Sequence, residues 1–371
     1  MTASSTSAIT FALHPSAMPV SDAERGRLLA APGFGQIFTD HMVTIRWTSE
    51  RGWHDGQLEP YGPLTLDPAT AVFHYGQEIF EGLKAYRQAA GPIVTFRPEA
   101  NAARFRGSAV RMAMPELPAE TFVRAVELLV THDRNWVPTA AGHSLYLRPF
   151  MIATSAGLGV NHPSQSYLFA VIASPAGPYF TGGVQPVSVW LADGYTRAAA
   201  GGTGAAKTGG NYAAGFAGQN QALEHGCDQV VWVDAAEHMW VEEMGGMNLF
   251  FVFGAGSGAR IMTPALTGTL LPGITRESLL TLAPDLGIPA AAGKISVRQW
   301  QQGCESGEIT EVFACGTAAV ITPVGVVKSK DGGWQVGDGS AGPVTMRLRE
   351  QLVGIQFGQL ADHRGWVHKI L

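Results

Sequence analysis

Residues 198–212, AAAGGTGAAKTGGNY, set Gly201, Gly202, Gly204, Gly209 and Gly210 around one lysine, Lys207. Backbone so free of Cβ atoms can pass close to a bound group, so the chain has to fold around a loop that serves a ligand. The run misses the phosphate-loop pattern G-x-x-x-x-G-K-[ST] by one residue: Gly201, four residues, Ala206 in place of glycine, then Lys207 and Thr208. VVWVD, ending at Asp234, has the form of an apolar strand whose aspartate holds magnesium in nucleotide enzymes. Such a loop must open into a helix at its lysine, and Gly209 and Gly210 are poor helix starters, so the expected helix begins near Asn211. A lysine kept for covalent chemistry is the competing reading.

The 371 residues suffice for two domains, and 46% hydrophobic against 15% charged residues is the balance of a packed soluble enzyme. A net charge of −5 without a basic run argues against nucleic acid and acidic membrane surfaces as partners. The opening MTASSTSAITFALHPSAMP has no cationic start and no unbroken apolar core, so a cytoplasmic protein is expected. Cys227, Cys304 and Cys315 are too scattered for a disulfide framework and read as small buried apolar residues. The 11 histidines show no ligand spacing, so no metal is expected.

Strand and helix signals are mixed along the chain. HMVTIRWTSERGWHDGQLEP reads as two strands about a polar turn, SLYLRPFMIATS and QSYLFAVIASPAG as strands, and PAETFVRAVELLVTHDRNWV as a helix with Phe122, Val126 and Leu129 on its apolar stripe. Arg104, Ser108 and Arg111 fall at helical spacing, and Tyr146 and Arg148 share one face of a strand. QVVWVDAAEHMWVEEM reads as one strand. Prolines and glycines cluster at 178–186, which predicts an N-terminal α/β domain over 1–178, a linker over 179–186 and a C-terminal domain over 187–371. An α+β chain of two domains with a site between them is expected.

A Schiff-base lysine needs an aldehyde cofactor, a cup for its phosphate and an anion opposite its pyridine nitrogen. Seven blocks in register supply candidates: HYGQEIFEGLKAYR (74–87), FRPEANAARF (96–105), YLRPF (146–150), KTGGNY (207–212), EEMGGMNLFFVF (242–253), GTLLPGITRESLL (268–280) and EVFACGTAAVITPVG (311–325). Together they resemble branched-chain amino acid aminotransferases, pyridoxal-phosphate enzymes of fold type IV, over nearly the whole chain.

The resemblance implies that Lys207 carries pyridoxal 5'-phosphate and serves as the base, although a free lysine, with a pKa of about 10.4, is a poor base at neutral pH. Glu243 matches the carboxylate on the pyridine nitrogen, with Glu242 as the competing choice, and Tyr212 the hydroxyl on the phenolic oxygen. The phosphate is assigned to Arg104, the amides of Ile274 and Thr275, and the Thr317 hydroxyl, with Arg197 a weaker candidate for that neighbourhood. A glycine turn running into a helix, as in LLPGITRESLL, presents free N–H groups to an anion.

For the substrate the resemblance implies an apolar pocket from Phe34, Tyr75, Phe80 and Tyr146, with Arg148 at its edge and the α-carboxylate near Thr317 and Ala318. An arginine that pairs with an acid or turns away lets one pocket take both aliphatic side chains and glutamate. Expected partners are branched-chain amino acids, their 2-oxo acids and glutamate, in a ping-pong reaction by a homodimer. A D-amino acid aminotransferase or aminodeoxychorismate lyase is the alternative within the fold. Two departures stand out: Ala319 and Thr322 replace the redox cysteines of the mammalian members, and Gly246 replaces a threonine.

Overall fold

The computed structural model describes residues 9–89, 91–178 and 182–371, which form two compact units, one of residues up to 177 with 356–371 and one of residues 178–355. Part of the expected linker, residues 179–181, lies outside the described residues.

The first unit is built on a nine-stranded sheet. Its order runs Phe11–Leu13, Gly52–Pro60, His41–Thr48, Ser166–Ala176, Ser144–Ala153, Leu83–Arg87, Ile93–Phe96 and Val367–Lys369, with Glu78–Phe80 paired to Ser144–Ala153. The expected hairpin is there, His41–Thr48 against Gly52–Pro60. Helices Pro98–Arg111 and Ala119–His132 pack together, the second against the strands His41–Thr48 and Ser166–Ala176. Phe105, Phe122 and Phe169 fill the seam with ring centroids 5.4, 5.5 and 6.1 Å apart, spacings at which edge-on aromatic pairs are favourable. The C-terminal residues, expected in the second domain, group with this unit because Val367–Lys369 adds an antiparallel edge strand to Ile93–Phe96.

The second unit holds another nine-stranded sheet, ordered Val241–Met244, Gln229–Val233, Val187–Leu191, Val320–Ser329, Ile309–Gly316, Met247–Phe253, Arg260–Pro264 and Ala290–Gly293, with Gly332–Gln335 beside Val320–Ser329. Because Val241–Met244 also pairs with Met247–Phe253, six of these strands close into a ring. Helix Gly209–Glu224 packs on Gln229–Val233 and Val187–Leu191.

Two local expectations are corrected. The stretch 229–244 is two strands, because the Asp234 carboxylate accepts backbone N–H bonds from Ala236, Glu237, Met239 and Trp240 and folds the chain into a turn between them. The helix after the lysine starts at Gly209, with Thr208 as its N-cap, two residues before the expected start. The first-turn residues of a helix have no N–H bond within it, so two glycines there forfeit little.

Candidate active site

In the second unit, Lys207 immediately precedes the N-cap of Gly209–Glu224, and Tyr212 lies in that helix's first turn. One helical turn brings them together: Lys207 Nζ donates to the Tyr212 hydroxyl at 2.6 Å. Asn211 shapes the loop from inside, donating from Nδ2 to the carbonyls of Thr203 and Ala206 at 2.8 and 2.9 Å and accepting from Thr203 Oγ1 at 2.7 Å.

Glu243 and Glu242 project to opposite faces of Val241–Met244, as successive strand residues must. Glu242 Oε1 accepts from the Thr269 hydroxyl. Glu243 Oε1 accepts from the Leu271 amide at 2.7 Å and from Asn248 Nδ2 at 3.1 Å, and Asn248 also donates to the Leu271 carbonyl at 3.1 Å. Asn248 is the cross-strand partner of Glu243, so strand register sets this contact. Glu243 Oε2 lies 2.9 Å from Arg197 Nε, but that N–H is not aimed at it, and the buried oxygen keeps its hydrogen-bonding capacity.

Burial drives the Glu243 carboxyl up to about 7, against the opposing pull of Arg197, the Leu271 amide and Lys207. Burial also raises Glu242. Arg197 precedes the glycine loop, outside any helix. It is spent on Glu243 and on the carbonyls of Gly204 and Thr269.

The strap Thr269–Gly273 leads into helix Ile274–Asp285, whose N-cap Gly273 has no side chain to satisfy the first N–H groups. A Cβ on Gly273 would overlap Asn248 Oδ1, so only glycine lets the strap lie on Asn248. Buried Arg276 adds a positive charge to that first turn, held by the Pro264 carbonyl at 2.9 Å. Ile274 and Thr275 therefore begin the helix as expected, at an end suited to anions. Thr317 and Ala318 lie in the tight turn joining Ile309–Gly316 to Val320–Ser329, where Val320 takes a left-handed φ of 64°.

In the first unit, Arg148 lies over the Phe80 ring at 4.7 Å and the Tyr146 ring at 5.5 Å, and donates to the Tyr146 hydroxyl at 3.2 Å. Phe34 meets Tyr146 edge-on at 5.0 Å. Four of the five expected side-chain pocket residues thus form one group. Tyr75 makes other contacts, its hydroxyl donating to the Leu158 carbonyl at 2.6 Å. Arg104 is in helix Pro98–Arg111, its guanidinium forked on buried Glu81 at 2.7 and 2.8 Å.

Residues 78–327 match the model of the family described as amino-transferase class IV. The chain belongs to this family. Among its relatives, this aminotransferase is 60% identical to a probable branched-chain-amino-acid aminotransferase of Streptomyces coelicolor, covering 97% of this chain and 99% of that one. It is 59% identical to the branched-chain-amino-acid aminotransferase of Mycolicibacterium smegmatis, over 98% of each chain. Among solved structures it resembles the branched-chain amino acid aminotransferase of Escherichia coli, with a TM-score of 0.70 at 29% identity over 88% of this chain and 99% of that one. It also resembles the T.th. branched-chain amino acid aminotransferase complexed with N-(5'-phosphopyridoxyl)-L-glutamate, with a TM-score of 0.71 at 28% identity over 88% and 98% of the two chains. The phosphate-loop reading is thereby set aside, and Asp234 is already committed to four backbone amides. Among the described residues no cluster suits a metal ion, and no helix is long and apolar enough to cross a membrane.

The sequence reading missed Asn211, Asn248 and Thr269. An asparagine inside KTGGNY and another inside MGGMN were in view, but what each one holds depends on register and loop closure.

Proposed function

We propose that this aminotransferase moves the amino group reversibly between leucine, isoleucine or valine and 2-oxoglutarate, using pyridoxal 5'-phosphate carried by Lys207. The observation that carries the reading is the convergence of Lys207, Tyr212 and Glu243 within one unit, next to a helix start suited to a phosphate. The cofactor fits what these residues present. Glu243 Oε2 is a buried acceptor with capacity to spare, which suits a pyridinium N–H. The Gly273 turn and the amides of Ile274 and Thr275 suit the phosphate, with Thr317 as a further donor and Arg104, fixed in one orientation by Glu81, as the arginine ligand.

When bound, the cofactor supplies an electron sink for the carbon that loses its proton. The protein's part is to place the base. The Tyr212 hydroxyl holds Lys207 Nζ in one position, and Asn211 keeps the loop beneath it from collapsing. Phe34, Phe80, Tyr146 and Tyr75 are assigned to the substrate side chain, Arg148 to the γ-carboxylate of glutamate, and the Thr317–Ala318 turn to the α-carboxylate. A homodimer in the cytoplasm completes the proposal.

The test is borohydride reduction of the protein loaded with pyridoxal phosphate, followed by peptide mapping, together with an assay of leucine against 2-oxoglutarate. An adduct on Lys207 and leucine-dependent glutamate formation are expected; a colourless protein with no adduct overturns the proposal. The pocket has its own test. A Cβ on Gly82 would overlap the Tyr146 hydroxyl, so Gly82→Ala must displace the group that Arg148 binds. Because misplacement by about 1 Å can cost up to roughly 10²-fold, kcat/KM for glutamate is expected to fall at least tenfold while the protein stays folded.

A further inference from the structure

Arg197 is 6% accessible and reaches three segments that are far apart in sequence. Its Nη1 donates to the Thr269 carbonyl at 2.7 Å and to the Gly204 carbonyl at 3.3 Å, and its Nε lies 2.9 Å from Glu243 Oε2. One guanidinium therefore joins the glycine loop before Lys207, the strap leading to Ile274 and the carboxyl group of Glu243. We infer that Arg197 is a positioning residue that keeps Glu243 as a carboxylate and ties it to the lysine loop and the strap. This inference rests on the proposed role of Glu243 toward the cofactor's ring nitrogen.

The physical argument concerns one proton. A carboxyl group and a pyridine nitrogen placed together share it, and the nitrogen keeps it only where the acid is the weaker claimant. Burial makes Glu243 a strong claimant, and the adjacent Glu242 charge adds to this. Against them stand Arg197, the largest opposing influence, the Leu271 amide and Lys207. The other titratable neighbours do not replace Arg197: Arg276 is committed to Thr263 and Pro264, and the Cys315 thiol is held neutral by burial. Because the Arg197 guanidinium is itself fixed by two carbonyls, it is held at one distance from Glu243.

The experiment uses the full-length protein stripped of cofactor, with the infrared carboxyl band of Glu243 assigned by its loss in Glu243→Gln and followed against pH. In Arg197→Met the midpoint of that band is expected to rise by roughly 1–3 pH units, the effect of removing an opposite charge at this range. Arg197→Lys is expected to restore most of the difference. After loading with ¹⁵N-labelled pyridoxal phosphate, the ring nitrogen signal of Arg197→Met is expected to move toward neutral pyridine. An unchanged midpoint in Arg197→Met overturns the inference, as does a lysine variant that behaves like methionine.

Should Arg197→Met fail to fold, the double variant Arg197→Met/Glu243→Gln decides, because both charges leave together. Recovery of folding supports the pairing, and continued failure assigns Arg197 to architecture alone. The apoprotein titration involves no cofactor, so its failure is distinct from the missing Lys207 adduct that would overturn the site itself.

Discussion

Lys207→Ala is expected to abolish amino transfer from leucine to 2-oxoglutarate while leaving the fold intact. The fold should survive because the loop does not depend on the lysine side chain. Asn211 holds the carbonyls of Thr203 and Ala206, and Thr208 caps the following helix by its backbone. The chemistry should fail because no other amine in the described unit is held against Tyr212 as Lys207 is, at 2.6 Å. Loss of a placed general base alone costs about 10²–10⁴ in rate, and loss of the covalent anchor adds to that. Steady-state assays with coupled glutamate detection, alongside thermal unfolding of both proteins, give the comparison. Turnover within about tenfold of the parent would remove Lys207 from the mechanism.

Glu243→Gln should be nearly as severe and should also register in the pH dependence of stability. The amide keeps the shape but loses the charge, and the expected fall in kcat is about 10²–10³, the scale of a removed buried electrostatic partner. It also leaves Arg197 as a buried cation with only carbonyl partners. That lost partner is set against the relief of a buried carboxylate that the fold disfavours, so near pH 7 the guanidinium chloride midpoint is expected to change little. The pH dependence separates this from nonspecific damage. Glu243 rises from an ordinary 4.5 to about 7 on folding, so between those values the folded apoprotein binds more protons than the unfolded chain. Stability of the apoprotein therefore falls as pH rises through that window, and Glu243→Gln should flatten the slope. A slope that persists in the variant would assign it to another group.

Much of the fold was legible because local pattern and tertiary role agree. The Phe122, Val126 and Leu129 stripe predicted helix Ala119–His132, and all three side chains are buried. The hairpin His41–Thr48 with Gly52–Pro60 followed from its two β-rich runs. Errors arose where local hydrogen bonding overrode the pattern. Asp234 turns a continuous β-rich run into two strands, and Thr208 starts a helix on two glycines that propensity alone rejects. The C-terminal strand pairs with a partner over 270 residues earlier, which no local signal encodes.

For the site, residue types were readable and partners were not. Strand alternation put Glu242 and Glu243 on opposite faces, but choosing between them required the family motif. Arg197 was expected near a phosphate because it precedes the lysine loop; its attachment to Glu243 crosses 46 positions and depends on the closed sheet.

That closed ring has a consequence for energetics. Val241–Met244 is bonded along both sides, to Gln229–Val233 and to Met247–Phe253, so the strand carrying Glu243 has no free margin along which to shift. The cost of fixing a negative charge at that point is met once, when the chain folds, and does not recur with each turnover. Loading and release of a ligand must then be accommodated by segments that join the strands, among them the glycine loop before Lys207 and the strap before Ile274.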